Sequence, residues 1–203
     1  MAPVLRQEDS IEIAALRGKR VLLEPLSARH APGLREAVKD GELWQIPVTT
    51  VPYPDAIDEF IELAEARRAA RIELPFATID LASGTVVGST RFMNINREHR
   101  RVEIGSTFIA KSWQRSPINT EAKYLMLAWA FGEWACNRVE FITDVLNAQS
   151  RTAIVRIGAK EEGILRRHMI MRDGRVRDSI IHSITRSEWP SVKIQLERKI
   201  AAA

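Results

Sequence analysis

The chain has 203 residues, 45% hydrophobic and 28% charged, with 30 Lys plus Arg against 26 Asp plus Glu. That length suits one domain with a full core, and the composition is that of an ordinary globular chain. The net charge of +4 is too small to demand nucleic acid, the one cysteine excludes a disulfide framework or a multi-cysteine metal site, and no apolar run reaches membrane-spanning length.

Residues 1–16 lack the apolar core of a signal peptide. They read as an N-terminal arm or short helix, with Ile11, Ile13, Ala14 and Leu16 available to dock. Residues 17–200 read as a single domain. Lys19–Pro25 is the first predicted strand. Ser27 is a good N-cap for a helix from Ala28 to about Asp40, ended by Gly41. Trp44–Pro54 is loop-like, because three prolines and two large aromatics break any periodicity. Asp55 caps a second helix from Ala56 to about Arg71, with Ile57, Phe60, Ile61 and Ala64 on one face. Three strands follow, Leu74–Asp80, Thr85–Asn96 and Val102–Ile109, separated by turns at Ala82-Ser83-Gly84 and Arg97–Arg100.

The stretch Arg101–Arg151 organises the rest. Its strand, Val102–Ile109, carries Glu103. A polar loop, Lys111–Pro117, leads into a helix capped by Asn119 or Thr120, whose apolar residues are Ala122, Leu125, Met126, Trp129, Ala130, Phe131 and Trp134. Glu121 sits in its first turn, where a negative charge suits the helix dipole. A strand at Val139–Val145 and a helix from Ala148 to about Ile157, stopped by Gly158, come next. A long hairpin, Lys160–Met171 and Arg175–Thr185, turns at Arg172-Asp173-Gly174. Ser187 and Glu188 open a terminal helix to about Lys199. The order βααβββαβαββα predicts an α/β fold with a mixed, mostly antiparallel, twisted sheet of about seven strands and helices on both faces. A strand, a loop and a helix start in sequence place free backbone N–H groups where they bind phosphate.

Gln114-Arg115-Ser116-Pro117-Ile118-Asn119 falls on the pyrophosphate loop Gln/Arg-x-x-Gly-x-Gly/Ala, and Asn119–Lys123 continues it as Asn-Thr-Glu-Ala-Lys. With Asn147-x-x-Ser150, Gly158-Ala159, Glu162-Gly163, Asp173-Gly174 and Glu188-Trp189-Pro190, the chain resembles the GCN5-related N-acetyltransferase (GNAT) superfamily from about Leu16 to Val192. Within it the chain is similar to the ribosomal-protein N-acetyltransferase branch, the RimJ and RimL type. The resemblance implies direct acetyl transfer from acetyl-CoA to a primary amine, either a protein N-terminus or a small amine, without a covalent enzyme intermediate. Composition reads as a cytoplasmic protein with no membrane or nucleic-acid partner, and the resemblance implies a homodimer for which the terminal hairpin, with Ile164, Met169, Ile170, Ile180, Ile181 and Ile184, is either the interface or an ordinary core hairpin. The alternative is a non-catalytic acyl-CoA binding module. Pro117 departs from the pattern, since it stands where the family has Gly and offers no N–H.

The resemblance also assigns roles. The cofactor phosphates fall to Gln114, Arg115, Ser116, Ile118, Asn119 and Thr120, and the thioester carbonyl to backbone N–H groups at Phe108 and Ile109. Glu103 matches the base of the histone-acetylating branch; its other reading is an exposed strand Glu beside Arg100 and Arg101, and Asp144 and Asp80 are alternative bases. The family's acid is a Tyr seven residues after the Asn, here Ile154, so Ser150 is the hydroxyl left near the thiol. Asn147 and Ser150 read both as helix-cap residues and as cofactor contacts. Arg151 reads as a phosphate contact or a solvated Arg. Trp44 and Arg91 are the acceptor-pocket candidates, Trp44 alternatively packing on the core. His30, His99 and His168 lack metal-ligand spacing, His182 reads as structural, and no metal is expected.

Overall fold

The computed structural model describes residues 14–202, so the arm residues Ile11 and Ile13 lie outside the described part. Eight strands form one sheet in the order β1-β2-β3-β4-β5-β6-β8-β7. They are β1 Leu16–Arg17, β2 Val21–Pro25, β3 Leu74–Asp80, β4 Val86–Asn96, β5 Arg101–Ile109, β6 Arg138–Asp144, β7 Lys160–Ile170 and β8 Val176–Thr185. Every neighbouring pair is antiparallel except β5 and β6. The helices are α1 Ala31–Lys39, α2 Ile57–Ala69, α3 Pro117–Gly132, α4 Ala148–Arg156 and α5 Trp189–Ala201. The expected α/β architecture is present, with one strand more than expected: Leu16 pairs with Leu23 and buries its side chain.

The sheet separates two apolar cores. One holds α3 and α5, with Val21, Phe92, Val102, Ile104, Met126, Phe141 and Leu196. The other holds α1 and α2, with Leu26, Leu34, Ile57, Ile61, Ala77 and Phe108. Because strand side chains alternate between faces, Val102 and Ile104 join the first core while Glu103 leaves β5 on the other face.

Boundaries moved where capping chemistry decided them. The cap of α3 is Ser116, not Asn119 or Thr120: the Ser116 hydroxyl accepts from Ile118 N at 3.4 Å, and Pro117 takes the first helical position. Pro is favoured there because its fixed φ suits the helix and the N–H it lacks has no intrahelical acceptor. Glu121 does not serve the helix dipole either. Its two oxygens accept the backbone N–H groups of Lys19 and Arg20, at 2.7 and 2.9 Å, and tie the start of the domain to α3. The terminal hairpin splits its apolar residues: Ile180 and Ile184 enter the core, whereas Ile164, Met169 and Ile170 lie exposed on the edge strand β7.

Candidate active site

β5 and β6 pair only over Arg101–Glu103 and Arg138–Glu140, and no pairing joins them beyond Glu103 and Glu140. A cavity of about 990 Å³ opens in that split, lined on one side by Ile104–Ile109 and on the other by Phe141, Ile142 and Thr143. The start of α3 and the start of α4 close its end through Ser116 and Asn119, and Asn147 and Ser150. A cavity of this size takes a cofactor-sized ligand.

A bulge shapes the β5 wall. Ser89 pairs with Phe108 and Arg91 with Gly105, so one β4 residue, Thr90, faces two on β5, Ser106 and Thr107. Ser106 takes a left-handed φ of 47°, which re-aims the strand end. The approach of the two strands is close: a Cβ on Gly88 would lie 2.0 Å from the Phe108 carbonyl oxygen, so only glycine fits.

Glu103 is 5% exposed, which removes the reading as a solvated strand Glu. Its Oε2 accepts from Asn94 Nδ2 at 2.7 Å. Burial pushes its pKa up to about 7, opposed by the Asn94 hydrogen bond and raised further by the nearby Glu140. The carboxylate stands just behind the cavity wall: Gly105 lines the cavity, and a Cβ there would sit 3.0 Å from Glu103 Oε1. Met93 Sδ would lie 2.7 Å from the same point, so the carboxylate and the thioether together back this stretch of the wall. The two alternative bases have structural partners instead. Asp144 accepts from Arg175 at 2.5 Å and from Leu146 N at 2.9 Å. Asp80 caps its turn through Ser83 N and Oγ, at 2.8 and 2.7 Å.

Eight of the predicted cofactor residues line the cavity: Phe108, Ile109, Gln114, Arg115, Ser116, Asn119, Asn147 and Ser150. Gln114 donates to the Ile109 carbonyl at 2.9 Å and accepts from Gln149 at 2.8 Å, linking the loop before α3 to α4. The Asn119 Oδ1 is buried with no hydrogen-bond partner, an acceptor site open to a ligand N–H. Asn147 is the α4 N-cap, its side chain accepting from Ser150 N at 2.9 Å.

Other predicted residues stand elsewhere. Ile118 and Thr120 are buried in the fold and do not line the cavity. Arg151 donates to the Val145 carbonyl at 3.2 Å and stands 3.8 Å from Glu161, outside the lining. Trp44 packs on the α1/α2 core, whereas its neighbours Leu43 and Ile46, with Val48 and Val51, face the cavity. Arg91 is not an acceptor contact: it pairs with Glu73 at 2.7 Å and stacks over Phe60 at 5.0 Å, closed off beneath α2. His182 is fully buried on β8, its ring nitrogens unpartnered and its pKa lowered by burial.

Sequence reasoning missed Lys123. It lines the cavity from α3, and its Nζ lies 2.9 Å from Thr90 Oγ1 and 2.7 Å from Thr107 Oγ1. Burial alone lowers its pKa to about 7. A signal was present: position 123 stands three, four and seven residues before Met126, Leu127 and Ala130, on the buried stripe of α3.

The sequence of residues 20–160 matches the family described as Acetyltransferase (GNAT) domain. The chain belongs to the GNAT acetyltransferase family. A crystal structure of a GCN5-related N-acetyltransferase from Brucella melitensis superposes with a TM-score of 0.84 at 31% identity, covering 94% of this chain and 87% of that one. Mycobacterium smegmatis RimJ, solved with CoA-disulfide, superposes with a TM-score of 0.75 at 25% identity, covering 90% and 88% of the two chains. A candidate ribosomal N-acetyltransferase from Bacillus subtilis (strain 168), YdaF, is 33% identical over 113 residues, which is 56% of this chain and 61% of the relative. The split between β5 and β6 thus lies within the matched GNAT domain. Among its described residues, no helix is long and apolar enough to cross a membrane, and no cluster of His, Cys, Asp or Glu could hold a metal.

Proposed function

We propose that this GNAT acetyltransferase moves the acetyl group of acetyl-CoA to the free α-amine of a protein N-terminus. The observation that carries the reading is Glu103, a buried carboxyl with a pKa near 7 at the point where β5 and β6 part. A base with that pKa takes a proton from an ammonium at neutral pH and is itself reset by solvent.

The cleft suits the donor. The first N–H groups of α3 lack intrahelical acceptors, and the helix dipole favours negative charge at that end. Lys111, Arg115 and Arg156 line the cavity with no ion-pair partner among the described residues, and supply charge for phosphates. Backbone N–H at the end of β5, around Phe108, stabilises the thioester oxygen as it gains charge. The unpaired Asn119 Oδ1 accepts an N–H of the bound cofactor. Ser150 and Asn147 border the thiol end of the cleft.

The acceptor side supports a peptide. Leu43, Ile46, Val48, Val51 and Pro52 form an apolar wall. The loop that carries them is held by the β7–β8 turn, where Arg172 donates to the Val51 carbonyl at 2.5 Å and Arg175 to the Pro47 carbonyl at 3.2 Å. The ribosomal N-acetyltransferase name of the YdaF relative points the same way. The test is thiol release from acetyl-CoA with a panel of short peptides starting in Ala, Ser, Thr or Met, set beside spermidine and free amino acids. Turnover with one peptide class is expected. Turnover with a small amine alone overturns the acceptor assignment, and no melting shift with millimolar acetyl-CoA overturns the donor assignment.

A further inference from the structure

Lys123 is, among the described residues, the one buried lysine, and it has no carboxylate within ion-pair distance. Burying an unpaired ammonium is costly, and a methionine would fill the same space without that cost. The groups that face Nζ from β4 and β5 are hydroxyls, Thr90 at 2.9 Å and Thr107 at 2.7 Å, which also touch each other at 2.8 Å. No charged side chain contributes to the lowering of its pKa. The nitrogen is tetrahedral. Cε and the two hydroxyls occupy three of its directions, and one remains for the cavity that Lys123 lines. Thr107 directly precedes Phe108, the strand end assigned above to the thioester.

We propose that Lys123 is a catalytic acid that hands its proton to the thiolate leaving when the acetyl group passes to the amine. The inference rests on the proposed acetyl-CoA reading. In the step, the amine nitrogen bonds to the acetyl carbon as the carbon–sulfur bond breaks. The nitrogen's proton goes to Glu103 and the sulfur takes one from Lys123. Glu103 leaves one face of β5 and Lys123 approaches from the α3 face, so base and acid address the split from opposite sides. Solvent exchange resets both, since both titrate near pH 7. Lys123 supplies the proton for which sequence reasoning had offered only the Ser150 hydroxyl, a far weaker acid.

The test needs no acceptor. CoA is bound to the parent protein and its thiol titrated by the ultraviolet absorbance of the thiolate. The bound thiol is expected to ionise about one pH unit or more below free CoA, because the thiolate keeps the proton on Lys123 and the two groups titrate as one pair. Lys123→Met removes the shift while the CoA-induced melting shift persists. Thr107→Val, which loosens the lysine without deleting it, reduces the shift by a smaller amount. With acetyl-CoA and an Ala-initiated peptide, Lys123→Met lowers kcat about 10²-fold and leaves KM for acetyl-CoA within a few-fold. The same thiol titration in parent and Lys123→Met, with CoA bound to both, overturns the inference and leaves the acetyl-CoA reading standing. A parent that shows no CoA-induced melting shift removes both.

Discussion

The two halves of the sheet bury charge in opposite ways. On the closed half, Glu73, just before β3, and Arg91 of β4 are buried as an ion pair at 2.7 Å, with Arg67 adding a second contact to Glu73 at 2.5 Å. On the split half, β5 and α3 bury Glu103 and Lys123 with an amide and two hydroxyls for partners, and neither has an ion pair among the described residues. Pairing holds a charge in place and takes it out of chemistry. Leaving it unpaired in a cleft moves its pKa to where a proton is easily exchanged. Closed strands and a covering helix made the first kind of site here, and parting strands made the second.

The comparison is broken most strongly on the closed half. Glu73→Gln strands Arg91, whose Nε and Nη2 already lack partners, and is expected to cost about 3–5 kcal/mol in urea unfolding. Activity per folded molecule should hold; a variant as stable as the parent would show that the pair is not structural. On the split half, Glu103→Gln is expected to lower turnover about 10²-fold, equivalent to about 2.7 kcal/mol, without changing CoA binding. The parent rate should be bell-shaped about pH 7, rising as Glu103 loses its proton and falling as Lys123 loses its own, and the variant should lack the rising limb. The stability signs follow from the same shift. The folded pKa of Glu103 lies above its ordinary 4.5, so its contribution is full below about 4.5 and lost as pH rises through 7. The Gln variant should therefore outlast the parent above pH 7 in thermal melts.

A smaller effect of opposite sign is expected at Lys123. Its folded pKa lies below its ordinary 10.5, so stability is greatest above that value and declines as pH falls towards 7. Lys123→Met should stabilise the protein by about 2 kcal/mol at neutral pH, with the gap closing in alkali. The Thr90–Thr107 hydrogen bond remains to satisfy both hydroxyls. Equal melting curves at pH 7 and pH 10 would deny the buried charge. Smallest is Pro117→Gly. It restores the family's residue and one phosphate donor, for a few-fold gain in CoA affinity by calorimetry, and costs about 1 kcal/mol of apo stability through the freer chain. Affinity unchanged within error would mean that the position does not face the phosphates.

Much of the fold was legible because its signals are local. The apolar run Val21-Leu22-Leu23 marked β2, prolines marked the Trp44–Pro54 loop, and Asp173-Gly174 marked the hairpin turn. The loop motif at Gln114–Asn119 and Asn147-x-x-Ser150 named residues that do line one cleft. Sequence spacing did not say which way a side chain leaves its strand or helix relative to a partner distant in the chain. Arg91 was read as a pocket residue because it lies on the central strand β4, yet it faces Glu73 and Phe60 beneath α2. Ile118 in the loop motif and Thr120 just after it turn into the fold while Asn119 between them lines the cavity, since adjacent residues on a helix point about 100° apart.

The sequence by itself determined the family, the order of elements and the capping and loop residues, because those depend on residue type and short-range backbone geometry. Only the tertiary structure decided which charges are paired and which are not. Glu103 acquires its pKa near 7 from burial behind Gly105, and Lys123 from an α3 stripe set against Thr90 and Thr107, 33 and 16 residues away in the chain. Desolvation is a property of surroundings assembled from β4, β5 and α3 together, and no single stretch of the sequence contains it.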